Sequence, residues 1–381
     1  MPPDPSASTA ESPTLEPSPR PIPRIPRSNP MCDDGPVMRW VAVALALLVG
    51  CGAGGAETGP RDAGPPDAGA PWPGYPFEMV AATFNTGTTP GLAHDGPPDD
   101  GYTSAEAAIS DMYYGDGLAW LPAVDAARAW IAGARPDVIG FQEIFHSAGC
   151  ATVPPEGRMG FVCETWTDGD LTVAQLITGP DYQVACHLEK PDKCLAVRRA
   201  FGTFRGCDAD LCLDGLDGAE VVGCGGGSRV GRGVIELVAG GTITVVNFHG
   251  TSGITTDDMG CRMRQIEQIF VDLDGMPAAN GAVNVVLGDF NTDPGRLADG
   301  DTSAARLLDF VGEGKAFRFA TDVGPRVTPT YAGLFNIDHV ITDAFAARCS
   351  RAGASDDHPP VIDAVYFDHL PAVCLLGGDP P

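Results

Sequence analysis

The stretch Val283-Asn-Val-Val-Leu-Gly-Asp-Phe-Asn291 is short and apolar, and it ends on an acid and an amide. An apolar run of this length, closed by turn-forming residues, reads as a strand covered on both faces rather than as a helix. The same grammar recurs on either side of it. Met79 to Asn85 ends on Asn85, and Asp137 to Ile144 carries Gln142-Glu143 near its end. Thr242 to His249 brings Asn247 and His249, Asn336 to Thr342 brings Asp338-His339, and Asp357-His358 precedes Val361 to Phe367, read as the last strand. Taken singly, each such residue is an ordinary turn former. Six strand ends of one kind predict one acidic cleft with two histidines, because a strand end holds a side chain rigidly and leaves its tip in solvent.

Between these strands lie helical patterns. Leu121 to Ala134 has Pro122 in its first turn and is stopped by Arg135-Pro136. Leu171 to Thr178 and Thr302 to Val311 are shorter. Asp257 to Leu273 sets Ile266, Ile269, Phe270 and Leu273 on one face. Tyr182 to His187 and Cys194 to Arg199 are further strand candidates. Val230 to Val238 and Thr242 to His249 form a hairpin through Ala239-Gly240-Gly241. Hairpins exclude a strictly parallel sheet. The class predicted is α+β: a four-layer α/β sandwich of two mostly antiparallel sheets, face to face, with helices outside. The domain spans 77–375, with a Cys-rich insertion at about 145–229 lying over the cleft.

The formal charge of -26 excludes a protein that coats polyanions passively. It does not exclude an enzyme that sets a divalent cation between its carboxylates and a phosphate, since the ion inverts the local field. Residues 1–76 carry 5 Arg and 8 acids, so -23 belongs to the rest of the chain. Residues 1–37 are Pro/Ser-rich and read as disordered or as an over-extended start. Residues 38–51 read as a secretory signal: Met38-Arg39, a short apolar stretch, then Leu48-Val49-Gly50-Cys51, which looks like a bacterial lipobox with Cys51 as the acylated residue. The Gly/Ala/Pro-rich 52–76 reads as a flexible tether. Of 12 cysteines, two lie in the leader and ten in the domain, an even number that favours up to five disulfides in an oxidising compartment. Zinc knuckles and a calcium loop fit the spacings less well. Cys207 to Cys212 reads as a disulfide-tied surface loop.

The ordered blocks Ala82-Thr-Phe-Asn85, Pro136-Asp-Val-Ile-Gly-Phe-Gln-Glu143, Val245-Val-Asn-Phe-His249, Val286-Leu-Gly-Asp-Phe-Asn291, Asn336-Ile-Asp-His339 and Asp357-His-Pro359 together resemble the endonuclease/exonuclease/phosphatase superfamily, the deoxyribonuclease-I-like fold. The sequence departs from the pattern at Gly250, where an apolar residue is more usual. It departs again at Ser355-Asp-Asp-His358, which holds one residue more than Ser-Asp-His.

The resemblance implies a divalent-metal-dependent hydrolase of phosphate esters, diesters first. Glu143 is the expected principal ligand of Mg²⁺, or of Mn²⁺ or Ca²⁺, with Asn85 assisting and Asp357 completing the shell. Asp289 is expected to orient and deprotonate the attacking water, and Asn291 to give its amide to a phosphate oxygen. His358 is expected on the phosphate with Asp338 fixing its tautomer, and His249 as general acid or second phosphate donor. His339, His146, His187 and His369 are read as structural or exposed. The expected substrate is a nucleic acid, with a phospholipid headgroup in a sphingomyelinase-like enzyme as the alternative. Arg198, Arg199, Arg205, Arg229 and Arg232 are the local basic residues that a nuclease would use. A catalytically inactive, surface-anchored binding protein is the reading from another class. The expected location is outside the cytoplasm, on the bacterial membrane through the lipid anchor alone or extracellular. No obligate protein partner is inferred.

Overall fold

The computed structural model describes residues 78–89, 94–95, 101–344, 346–351 and 366–377. The leader, the lipobox with Cys51 and the tether lie outside the described residues, as do Asp357, His358 and Val361 to Ile362 with the residues up to 365.

Among the described residues, thirteen strands build two mixed sheets. The first contains β1 (Met79–Asn85), β2 (Val138–Gln142), β3 (Tyr182–His187), β4 (Lys190–Arg198), β6 (Leu211–Cys212), β12 (Ala347–Arg351) and β13 (Ala372–Leu376), in the order β12-β13-β1-β2-β4-β3-β6. The second contains β5 (Gly202–Phe204), β7 (Val230–Leu237), β8 (Thr242–His249), β9 (Asn284–Asp289), β10 (Arg318–Phe319) and β11 (Asp338–Thr342), in the order β10-β11-β9-β8-β7-β5. Most pairs are antiparallel; β1 with β2, β8 with β9 and β3 with β6 are parallel. Apart from Val361 to Phe367, most of which lies outside the described residues, the strands expected from the sequence are present, and the sandwich is the class expected.

Period-two alternation explains the layers. Met79, Ala81, Val138, Leu195 and Val197 of the first sheet meet Ile235, Ile243, Val245, Val285, Leu287 and Val340 of the second in a central apolar layer. The opposite face of the first sheet is covered by α2 (Leu121–Ala134) and α3 (Val173–Thr178), after a short α1 (Ser104–Ile109). The opposite face of the second is covered by α4 (Thr256–Phe270) and α5 (Thr302–Phe310). Both starts and stops of these helices are local. Thr255 and Asp258 form a reciprocal cap at α4, Asp301 caps α5, and Arg135 ends α2 in the left-handed conformation. Ile266 and Ile269 of α4 are fully buried, as the apolar stripe requires.

Two features differ from expectation. Residues 145–229 do not simply overlie the cleft, since they supply β3 and β4, and β4 pairs with both β2 and β3 inside the sheet. The chain also does not end its sheet near Phe367: β13 follows, pairing antiparallel with β1 from Met79↔Leu376 to Thr83↔Ala372. Its five-residue run is too short to signal itself, and its partner lies at the opposite end of the domain. All ten domain cysteines are paired: Cys150–Cys163, Cys186–Cys194, Cys207–Cys212, Cys224–Cys261 and Cys349–Cys374. No helix among the described residues is long and apolar enough to cross a membrane.

Candidate active site

Register decides which polar residues meet. The parallel pair β8 and β9 sets His249 beside Asp289, and antiparallel β11 sets Asp338 on the other side of Asp289. In the first sheet, β1 and β2 set Asn85 beside Gln142. Continuing the alternation of the central layer by one step at each strand end turns Asn85, His249, Asp289 and Asp338 towards the space between the sheets. Glu143 follows β2 with a φ of 57°, a turn that redirects its side chain into the same space. Gly87 permits it, because a Cβ there would lie 1.8 Å from Glu143 Oε2.

Asn85 is the hub. Its Nδ2 lies 3.2 Å from Glu143 Oε1, 3.1 Å from Asp289 Oδ2 and 3.4 Å from His369 Nε2. His249 Nε2 lies 3.4 Å from Glu143 Oε1 and 3.7 Å from Asp289 Oδ2. Asn291, at a φ of 50°, gives its backbone N–H to Asp289 Oδ1 at 2.7 Å. Its Nδ2 donates to Asp289 Oδ2 at 3.0 Å and to Gly250 O at 3.1 Å. Both amide hydrogens thus have protein acceptors, and Asn291 holds Asp289 and the backbone after His249 rather than presenting a free donor.

The histidine held by Asp338 corrects the sequence reading. His369, expected to be structural or exposed, is buried and its Nδ1 lies 2.8 Å from Asp338 Oδ2. Its neighbour Asp368 enters the same pocket, accepting a hydrogen bond from Thr89 while Oδ1 lies 3.9 Å from His369 Nε2. The sequence offers Asp-His three times, at 338–339, 357–358 and 368–369, and nothing local separates the latter two as partners of Asp338. Backbone bonds do: Ala332 N donates to Asp368 O and Leu370 N to Thr330 O, which dock the segment before β13 against the loop before β11. Tyr331 then packs on the His369 ring, with centroids 4.8 Å apart. His339 is structural as expected, bonded to Thr321 between Phe290 and Phe319.

Beneath the pocket a buried amide bridge joins the sheets. Gln142 Nε2 donates to Asn247 Oδ1 at 2.6 Å, and Asn247 Nδ2 donates to Phe141 O at 2.9 Å and Cys194 O at 3.0 Å. In the sequence both residues stand at strand ends, where nothing separates this floor from the reactive set above it.

Crowding of acids sets the electrostatics. Desolvation, then the charge of Asp368, pushes Glu143 up to about 8, although its side chain keeps 30% of its surface at the pocket mouth. Desolvation pushes Asp289 up to about 7 and also raises Asp368. Burial works to lower His369, but the Asp338 and Asp368 carboxylates outweigh it and hold the imidazole well above its usual value. His249 goes the other way, drawn well below its usual value by burial and then by Arg229.

This donor set fits a hard divalent cation. Glu143, Asp289, Asp338 and Asp368 offer oxygen, and Asp338 Oδ1 and Asp368 Oδ1 are buried without a hydrogen-bond donor.

The chain belongs to the endonuclease/exonuclease/phosphatase family, whose model matches residues 82–361. The match stops short of Asp368 and His369. Similar solved structures include a truncated Caenorhabditis elegans TDP2, 14% identical over 79% of this chain and 98% of that one, with a TM-score of 0.45. An endonuclease/exonuclease/phosphatase family protein from Bacteroides thetaiotaomicron is 13% identical over 80% and 97%, with a TM-score of 0.44. The human Nocturnin catalytic domain with bound sulfate is 12% identical over 79% and 94%, with a TM-score of 0.44. No curated protein matches the chain.

Proposed function

We propose that this protein is an exported, lipid-anchored phosphodiesterase that requires a divalent cation and acts on nucleic acid outside the cytoplasm. The observation that carries the reading is the meeting of Asn85, Glu143, His249, Asp289, Asp338 and His369 in one pocket, from six separate segments. Glu143, Asn85 and Asp368 would hold the ion, Mg²⁺ in the first instance, which neutralises phosphate charge when bound. Asp289, raised towards neutrality and steered by Asn85 and Asn291, orients a water and takes its proton. His369, kept cationic by Asp338, donates from Nε2 to a phosphoryl oxygen. His249, held in its neutral form, offers a single N–H towards the leaving oxygen. Cys51 as a lipid-bearing terminus and five disulfides suit an oxidising compartment.

The test is a hydrolysis screen of purified protein with bis-(p-nitrophenyl) phosphate, plasmid DNA and sphingomyelin, with Mg²⁺, Mn²⁺, Ca²⁺ or EDTA. Diester and DNA turnover that EDTA abolishes is the expected result. Turnover that persists in EDTA or in Glu143→Gln would refute the mechanism, and turnover of sphingomyelin alone would move the substrate to phospholipid.

A further inference from the structure

The two ends of the pocket carry opposite charge, and strand order shows why. Across the second sheet, β11, β9, β8 and β7 present Asp338, Asp289, His249 and, one residue before β7 begins, Arg229. Across the first, β1, β2 and β4 present Asn85, Gln142 and Lys193, the last one residue beyond the Phe141↔Cys194 pair. Lys193 shares the parity of Leu195 and Val197, which face the central layer. Arg229 is tied directly to His249, whose N–H donates to Arg229 O at 3.0 Å, and Asp192 is tied beside Glu143 through Ile144 N to Asp192 O at 3.0 Å.

These cations are under-compensated. Lys193 is fully buried, its Nζ makes no hydrogen bond, and its ion pair with Asp192 Oδ1 spans 3.7 Å. Asp192 is already bonded to Lys190 at 2.7 Å. Of the five arginines expected near the site, Arg198, Arg199, Arg205 and Arg232 are engaged by Asp137, Asp210, Glu236 and Asp217. Arg229 forms no ion pair within 4 Å among the described residues, and its Nε is buried without an acceptor. Glu189 belongs to a separate acidic groove with His187, Asp214 and Asp217. Burial draws the Lys193 amine well below its usual value against the pull of Asp192, so its three unused donors carry full charge most readily when something anionic meets them. In a chain of net charge -26, such a place is not a by-product of a basic surface. The field reaches the reactive groups: Arg229, Lys193 and Lys190 all act on His249, and Arg229 feels Glu143 and Asp289.

We propose that Lys193 and Arg229 form an anion subsite beside the catalytic pocket that receives a second phosphoryl group of the substrate, so that esters carrying two neighbouring phosphates are preferred over isolated diesters. The inference rests on the phosphodiesterase reading and narrows its substrate to polyphosphorylated esters, of which a polynucleotide strand is the extended case. The acidic half takes the scissile phosphate through its cation, and the basic half takes the next one directly.

The test compares thymidine 5′-(p-nitrophenyl phosphate) bearing a 3′-phosphate with the same ester bearing a 3′-hydroxyl, using the full chain with Mg²⁺. Wild type is expected to prefer the 3′-phosphorylated ester through a lower KM. Lys193→Met and Arg229→Gln are expected to shrink that preference by about tenfold or more, the worth of one charged hydrogen bond, while Lys193→Arg keeps most of it. A parallel calorimetric titration with inorganic pyrophosphate in EDTA reads the basic half alone, since the metal-free acidic half repels anions. Wild type should bind and Lys193→Met should not. Arg229, only partly buried, serves if the Lys193 variant does not fold. Equal preference in wild type and variants, or pyrophosphate binding indifferent to both substitutions, overturns the subsite. Failure of wild type to cleave either ester would sink the enzymatic reading, and the pyrophosphate titration would still decide the subsite.

Discussion

Asp338 and His369, 31 residues apart, meet through a 2.8 Å contact between Oδ2 and Nδ1, which leaves His369 Nε2 facing Asn85 and Asp289. A carboxylate so placed sets the tautomer and charge of the ring. Asp338→Asn and His369→Ala should each lower kcat/KM by about 10²- to 10⁴-fold. The double variant should be little worse than His369→Ala, because the two act as a unit. Losses that multiply in the double variant would show that the pair is not a functional dyad.

Gly87 lies against Glu143 Oε2 closely enough that Ala at this position displaces the carboxylate. Gly87→Ala should raise the Mg²⁺ concentration for half-maximal activity by about tenfold or more, as loss of ligand support does. Activity titrated against Mg²⁺, beside a melting curve, is the check. An unchanged requirement would place Glu143 outside the metal shell.

The raised carboxylates define a pH dependence. A group whose pKa is higher folded than unfolded stabilises the fold below its unfolded value and loses that contribution as pH rises to the folded one. For Glu143 the window runs from 4.5 to about 8, and for Asp289 from 3.8 to about 7. His369, held above its usual value, has the same sign. His249, drawn below its usual value, has the opposite sign and adds stability as pH rises to about 6.5, so the melting temperature in EDTA should fall between pH 7 and pH 8. A divalent cation should restore it more at pH 8 than at pH 5, since the cation replaces the protons. Melting temperatures that rise from pH 7 to pH 8 in EDTA would contradict the electrostatics of the pocket.

Asn247 joins the sheets through Gln142, Phe141 O and Cys194 O. Asn247→Leu leaves those buried groups unpaired at about 1–3 kcal/mol each, so unfolding in urea should show a loss of at least about 3 kcal/mol. A loss below about 1 kcal/mol would mean that the bridge contributes little beyond its volume.

Local pattern carried much of the fold. β1, β3, the β7–β8 hairpin, α2 and the buried face of α4 follow from period two, period 3.6, and the Pro and Gly that punctuate them. The strands β12 and β13 were not legible in the same way. Each is five residues long, and β13 owes its place to β1, nearly the whole domain away in sequence. Residues 145–229 look irregular because loops tied by Cys150–Cys163 and Cys207–Cys212 flank β3 and β4, yet the two strands pair with each other and extend the sheet from β2.

The amino-acid order alone determined which kinds of group stand at the strand ends: carboxylates, amides and imidazoles after apolar runs, at a spacing that a buried strand imposes. Tertiary structure alone decided that Asp338 engages His369, that Gln142 and Asn247 form a floor rather than reactive groups, and that Lys193 lies buried at the basic end. The reason is that alternation along a strand tells which side a residue faces. Its neighbours are set by register between strands far apart in the chain, which two equivalent Asp-His pairs cannot specify locally.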